Sequence, residues 1–190
     1  NSYYIFVLSL LIAGVLSILE FLNISRKISK SKLINFFSNI FFIFYIFLFC
    51  YLFLFFYNFY QLKVITFSLL IGCIASDIGG YIFGNIFKGP RLTTISPNKT
   101  ISGAFGSMLF TFIVLSFLLF NFTGNFNLNT FIISVFTSIG CQSGDLFFSL
   151  LKRKAKLKDT GNILPGHGGL LDRIDGMIFV FPICYLITIL

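Results

Sequence analysis

Between Ser149 and Asp175 the chain reads SLLKRKAKLKDTGNILPGHGGLLDRID. This stretch holds nine of the twenty charged residues, six of the fourteen Lys and Arg and three of the six acids, together with the only histidine. Asp77 and Asp145 add two acids inside apolar sequence. Carboxylates converging beside a basic loop are the ingredients of a metal and phosphate site: Mg²⁺ takes hard oxygen ligands and bridges a few carboxylates to phosphates, while Lys and Arg neutralise the remaining phosphate charge. The run Pro165-Gly166-His167-Gly168-Gly169 adds glycines that permit close backbone approach to a ligand, ahead of a helix whose first amides favour anions. His167 is placed to donate to a phosphate or to act as acid or base.

The elements that must carry these residues follow from composition. The chain has 190 residues, 57% of them hydrophobic and only 11% charged, with a mean hydropathy of +0.95; soluble domains carry roughly 25% charged residues. A helix crosses a bilayer with about 20 mostly apolar residues. Runs of that kind predict spans at Tyr3 to Leu22, Ile34 to Tyr60, Val64 to Phe87, Ala104 to Phe120, Phe131 to Leu151 and Ile174 to Leu190, the last one short. The runs are too long and lack the alternation of barrel strands, so helices are what satisfy the backbone in lipid. The expected fold class is therefore all-α: a polytopic integral membrane protein of about six transmembrane helices, with residues 1–63 forming N-terminal spans and 64–190 the catalytic part of one domain.

The net charge of +8 does not point to nucleic acid, because it alternates with the spans. Arg26, Lys27, Lys30 and Lys32 follow span one; Lys88, Arg91 and Lys99 follow span three; Lys152, Arg153, Lys154, Lys156, Lys158 and Arg173 follow span five. The two opposite loops hold only Lys63. This is a positive-inside pattern that puts the basic loops in the cytoplasm and both chain ends outside. For residues 26 to 32, setting topology and touching anionic lipid heads is a sufficient role.

An ionised carboxylate at the centre of a span costs about 2.5–3.5 kcal/mol on insertion scales and persists where it has a partner or a task. With this topology Asp77 falls in the inner half of span three, Asp145 near the inner end of span five, and Asp172 and Asp175 at the start of span six, sharing one helix face. All four lie on the cytoplasmic side. Cys50, Cys73, Cys141 and Cys184 stand singly in apolar runs and read as small buried hydrophobes. The first apolar run lacks a basic leader and a small-residue cleavage site, so it reads as a span and not as a signal peptide. The Phe-rich run from Phe36 to Phe59 reads as lipid-facing bulk.

Ser149, Lys152-Arg153, Lys158-Asp159, Gly161, Leu164-Pro165, His167-Gly168-Gly169, Asp172-Arg173 and Asp175 together resemble the signature of the phosphatidate cytidylyltransferases, or CDP-diacylglycerol synthases. Asp77, Gly80-Tyr81, Gly84, Ser96-Pro97, Lys99-Thr100 and Gly103 resemble a second motif of that family. The resemblance covers roughly residues 70 to 182, and the first two spans add only hydrophobicity to it. It departs at Ile101 and Ser102, where many members carry an aromatic residue and Glu, and at Asn98, which stands for a frequent Lys.

The resemblance implies transfer of CMP from CTP to phosphatidic acid, giving CDP-diacylglycerol and pyrophosphate. It implies Mg²⁺, with room for a second ion, held by Asp145 and Asp172 with Asp175 and Asp77 supporting or ligating. Lys152, Arg153 and His167 join these acids as catalytic candidates. Ser96, Lys99, Ser149, Lys158, Asp159, Gly168, Gly169 and Arg173 are candidates for substrate binding, with Ser149 one turn after Asp145. The expected partners are CTP, phosphatidic acid and membrane lipids, with a possible homodimer and no nucleic acid, and the expected location is a bacterial cytoplasmic membrane with the site facing the cytoplasm. Two alternatives share intramembrane acids. A related CTP-dependent polyprenol kinase or other lipid cytidylyltransferase also has basic loops, and an ion or solute transporter has less use for a long basic, Gly-rich loop.

Overall fold

A computed structural model describes residues 2–93, 95–96, 99–124, 128–163 and 168–189, and these described residues form six helices. They are α1 (Ser2–Ile28), α2 (Lys32–Asn58), α3 (Tyr60–Phe87), α4 (Ile101–Thr123), α5 (Leu128–Lys154) and α6 (Leu171–Ile189). No strand occurs among the described residues beyond an isolated bridge between Arg91 and Thr100. Helices α1 to α5 are long and apolar enough to cross a membrane. Helix α6 has 19 residues and opens on Asp172, Arg173 and Asp175, so its charged first turn precedes its apolar part. The protein is thus an all-α integral membrane protein, as expected.

The helices overrun the predicted spans. Arg26 and Lys27 lie in the last turn of α1, and Lys152, Arg153 and Lys154 in the last turn of α5, where the negative end of the helix dipole favours cations. The expected loop around Lys63 does not form. Phe59 alone separates α2 from α3, and Lys63, within α3, sets its Nζ 4.2 Å from the centre of the Tyr57 ring.

Helix α2 is only half lipid-facing. Phe42, Ile46, Phe49, Leu52, Phe53 and Phe56 recur at helical spacing and are buried, while Phe37, Phe41, Phe44 and Phe47 are exposed. The buried face joins Phe21 and Ile24 of α1, Phe148 of α5, and Ile178 and Phe181 of α6 in the main core. Tyr45 ties α2 to α6 by donating to the Ile178 carbonyl at 3.0 Å. The four cysteines are free thiols, with Cys73, Cys141 and Cys184 buried, as their apolar surroundings predict.

The two helix pairs that carry the acids pack through glycines. Between α3 and α4 a Cβ added at Gly106 would stand 2.2 Å from Phe83 Cβ, and one at Gly79 would stand 2.6 Å from the Gly106 carbonyl oxygen. Between α5 and α6 a Cβ on Gly144 would stand 2.4 Å from the Asp175 carbonyl oxygen. Small residues at such crossings let backbones approach closely in lipid, where van der Waals packing drives helix association. Gly144 precedes Asp145, so the same contact that joins α5 to α6 brings their two acids near each other.

Candidate active site

A cavity of about 340 Å³ opens between α3, the start of α4 and α5, with Asp77, Lys99, Gln142 and Asp145 among its walls. Lys99 is delivered by the 88–100 loop. Lys88, in the left-handed region at φ 41°, ends α3 by donating its amide to the Gly84 carbonyl at 3.2 Å. The loop is then pinched at its base, where Leu92 N donates to Lys99 O at 2.7 Å and Ile101 N to Pro90 O at 2.9 Å. Ser96 shapes the turn, accepting from Lys99 N at 3.1 Å through its carbonyl and donating its amide to Thr93 Oγ1 at 3.3 Å. Thr100 caps α4, its Oγ1 accepting from Gly103 N at 3.1 Å.

Across the cavity Lys99 Nζ donates to Asp145 Oδ2, and both side chains remain partly exposed to the cavity. Ser149 Oγ donates to Asp145 Oδ1 at 3.3 Å, so the one-turn spacing does bring the serine to the acid. Asp175, on α6, accepts from Gly176 N at 2.7 Å and lies within electrostatic reach of Asp145, Asp77 and Lys152. Gln142, one turn before Asp145, donates to Ser138 Oγ at 3.0 Å.

A second group is centred on Asp172. Its Oδ1 accepts from Lys152 Nζ at 2.7 Å in a mostly buried ion pair. Its Oδ2 accepts from Thr160 N at 2.8 Å, Thr160 Oγ1 at 2.9 Å and Gly169 N at 3.1 Å. Burial alone would raise the pKa of this carboxyl, but the Lys152 ammonium and the two Thr160 donors outweigh it, and Asp172 sits below the ordinary carboxylate range.

Behind Asp172 stands Glu20 of α1, 2% exposed. Its Oε1 accepts from Leu170 N at 2.9 Å, and its Oε2 from Leu171 N at 2.8 Å and Thr160 Oγ1 at 2.9 Å. The amides of Gly169, Leu170 and Leu171 at the start of α6 therefore donate to the protein's own carboxylates. Gly169 makes room for this arrangement: a Cβ there would stand 2.0 Å from Thr160 Oγ1 and 2.5 Å from Glu20 Oε2. Gly168 adopts φ +84°, a conformation that favours glycine. Glu20 is absent from the residues that the sequence reading singles out, although it is the sole acid of the first apolar run and carries the same signal as Asp77.

Arg153, Lys158, Asp159 and Arg173 are exposed. Asp159 joins Asn23, Arg26, Lys27 and Thr160 on the wall of a second cleft of about 490 Å³, so two cations assigned only to topology also border the functional loop. His167, with Leu164, Pro165 and Gly166, lies outside the described residues. Among the described residues no three His, Cys, Asp or Glu side chains converge on one cation position. The donor set is nonetheless all carboxylate oxygen, which suits Mg²⁺, an ion commonly held by one or two carboxylates plus substrate phosphates.

The chain is 41% identical over 132 residues to the phosphatidate cytidylyltransferase of Staphylococcus haemolyticus, an alignment spanning 67% of this chain and 50% of that protein. It is 40% identical over 134 residues to the enzyme of the same name from Rickettsia felis, spanning 64% and 58% respectively. Against the Helicobacter pylori protein of that name it is 40% identical over 112 residues, 58% of this chain and 42% of the relative. The chain thus spans about half the length of the curated relatives it matches. A family model described as "Cytidylyltransferase family" matches residues 2–190, including the first two helices, which the sequence motifs alone do not reach. From its motifs, its acid-lined cavity and this match over nearly its whole length, the chain belongs to the cytidylyltransferase family.

Proposed function

We propose that this protein transfers CMP from CTP to phosphatidic acid, releasing pyrophosphate and forming CDP-diacylglycerol. The observation that carries this reading is the cavity in which Asp77, Lys99 and Asp145 meet, beside the Lys152–Asp172 pair, in a chain about 40% identical to proteins named phosphatidate cytidylyltransferase. A phosphate oxygen of phosphatidic acid attacks the α-phosphorus of CTP, the bond from that phosphorus to the bridging oxygen of the β-phosphate breaks, and pyrophosphate leaves. The nucleophile is already anionic near neutral pH, so the obstacle is to bring two polyanions together. Positioning and charge neutralisation are the means available to a protein in such transfers.

The two acid–lysine pairs suit that task. Lys99 and Lys152 are placed to pass from their carboxylates to the oxygens of an entering polyphosphate, and the carboxylates they leave would then hold the cation that accompanies CTP. Asp145 and Asp172 are the proposed ligands, with Asp175 and Asp77 supporting. Bound Mg²⁺ supplies neutralisation of the charge that develops on the phosphates. Arg153, Lys158 and Arg173 extend the positive field along the loop. Ser149 holds Asp145 in orientation.

The active site is assigned to the cytoplasmic side of a bacterial inner membrane, on the strength of the basic loops and of relatives from bacteria. CTP labelled in either its α- or its γ-phosphate, supplied with phosphatidic acid and Mg²⁺ to purified protein in detergent, tests the reaction. Lipid labelled from the α-position supports the cytidylyltransferase. Label passing to lipid only from the γ-position would make the protein a kinase instead.

A further inference from the structure

Glu20 and Asp172 sit on different helices, yet one hydroxyl touches both. Thr160 Oγ1 lies 2.9 Å from Glu20 Oε2 and 2.9 Å from Asp172 Oδ2, and it has one hydrogen to donate. Backbone amides secure each acid independently. Leu170 N and Leu171 N bind Glu20; Thr160 N and Gly169 N bind Asp172. These contacts engage both oxygens of Glu20 and the Oδ2 of Asp172, and among the described residues the Lys152 ammonium is the partner of Asp172 Oδ1. A buried carboxylate carries a large desolvation cost unless it is fully hydrogen-bonded, and Glu20 meets that condition only with the 160–171 loop in place.

We propose that Glu20 is a positioning residue of the active site: through Thr160 and the α6 amides it fixes the orientation of Asp172, so that Oδ1 alone faces Lys152 and is available for cation exchange. This rests on the cytidylyltransferase reading above, in which Asp172 takes up a cation when substrate enters. It gives α1 a part in the chemistry. Partners that orient metal-binding side chains characteristically cost about 10- to 100-fold in metal affinity or activity when removed.

The test compares wild type with Glu20→Gln, Thr160→Val and Thr160→Ser in detergent, measuring Mn²⁺ affinity in the presence of CTP by electron paramagnetic resonance, the Mg²⁺ concentration for half-maximal product formation, and thermal stability. Thr160→Val keeps the side-chain shape, so it remains informative if Glu20→Gln fails to fold. The expected result is Mn²⁺ affinity weakened about 10-fold or more in Glu20→Gln and Thr160→Val, a parallel rise in the Mg²⁺ requirement, and recovery in Thr160→Ser, which restores the hydroxyl. Unchanged Mn²⁺ affinity in Thr160→Val, whatever its stability, would reduce Glu20 to a helix cap and overturn the proposal. Wild-type protein that neither binds Mn²⁺ with CTP nor forms product would overturn the cytidylyltransferase reading and this inference with it.

Discussion

Lys99, carried by the loop between α3 and α4, places its ammonium on Asp145 of α5, so the acid of one helix is held by a cation from a different part of the chain. Both residues line the cavity between α3, α4 and α5. Replacing Asp145 by Asn keeps the shape and removes the charge. CTP-dependent product formation should fall by at least about 100-fold, the scale of losing one electrostatic contact to a transition state, while the protein still inserts in membranes. Substantial activity in Asp145→Asn would remove this acid from the reaction.

The Lys152–Asp172 pair should be a stability determinant as well as a functional one. Side-chain exposures of 15% and 10% make it mostly buried, so Asp172→Asn leaves the Lys152 charge without its partner. Breaking such a pair from one side costs about 3–5 kcal/mol. Thermal unfolding in detergent should register a clear fall in Tm, and an unchanged Tm would show the pair to be dispensable to the fold.

The same acid predicts a pH dependence. The folded-state pKa of Asp172 is depressed, so its contribution to stability is present above the ordinary aspartate value of about 3.9 and is lost as pH falls through the lower folded value. Between about pH 4 and pH 6 this group should leave thermal stability almost level, and below that range stability should drop. In Asp172→Asn the low-pH drop should be shallower; an acid limb identical to wild type would assign it to other carboxyls.

Gly144 should tolerate no side chain. A Cβ there meets the Asp175 carbonyl oxygen at 2.4 Å, a backbone atom that cannot swing aside. Gly144→Ala should destabilise by about 1–3 kcal/mol, as overpacking does, and should lower activity by separating Asp145 from Asp175. A fully active Gly144→Ala protein would mean that the spacing between α5 and α6 does not set the site.

Lys30 provides a contrast. It is exposed between α1 and α2 and is not among the residues lining either cleft. Lys30→Ala should leave turnover within about twofold of wild type, the scale of a surface change away from special features, and a large loss would give the first basic loop more than a topological role.

Much of this architecture was legible because lipid imposes strong rules. Long apolar runs named the helices, and Asp77 and Asp145 stood out as acids where acids are costly. Helix ends were less legible: Lys63 reads as a loop residue by charge but is folded into α3, because the break between α2 and α3 is confined to Phe59. The buried face of α2 was hidden by composition, since phenylalanine suits both lipid and core. What sequence could not supply was pairing across distance. That Lys99 would meet Asp145, and Glu20 would meet Thr160 and the start of α6, depends on how glycine contacts bring the helices together, and spacing along one chain does not encode those crossings.

The most direct measurement places wild type and Asp145→Asn side by side in detergent with phosphatidic acid, Mg²⁺ and CTP labelled at the α-phosphate, recording lipid-borne label and pyrophosphate together. Wild type should produce both in equal amounts and Asp145→Asn neither. Equal product from the two proteins would contradict the central role of the Asp145 cavity, and wild type that releases no pyrophosphate would contradict CMP transfer itself.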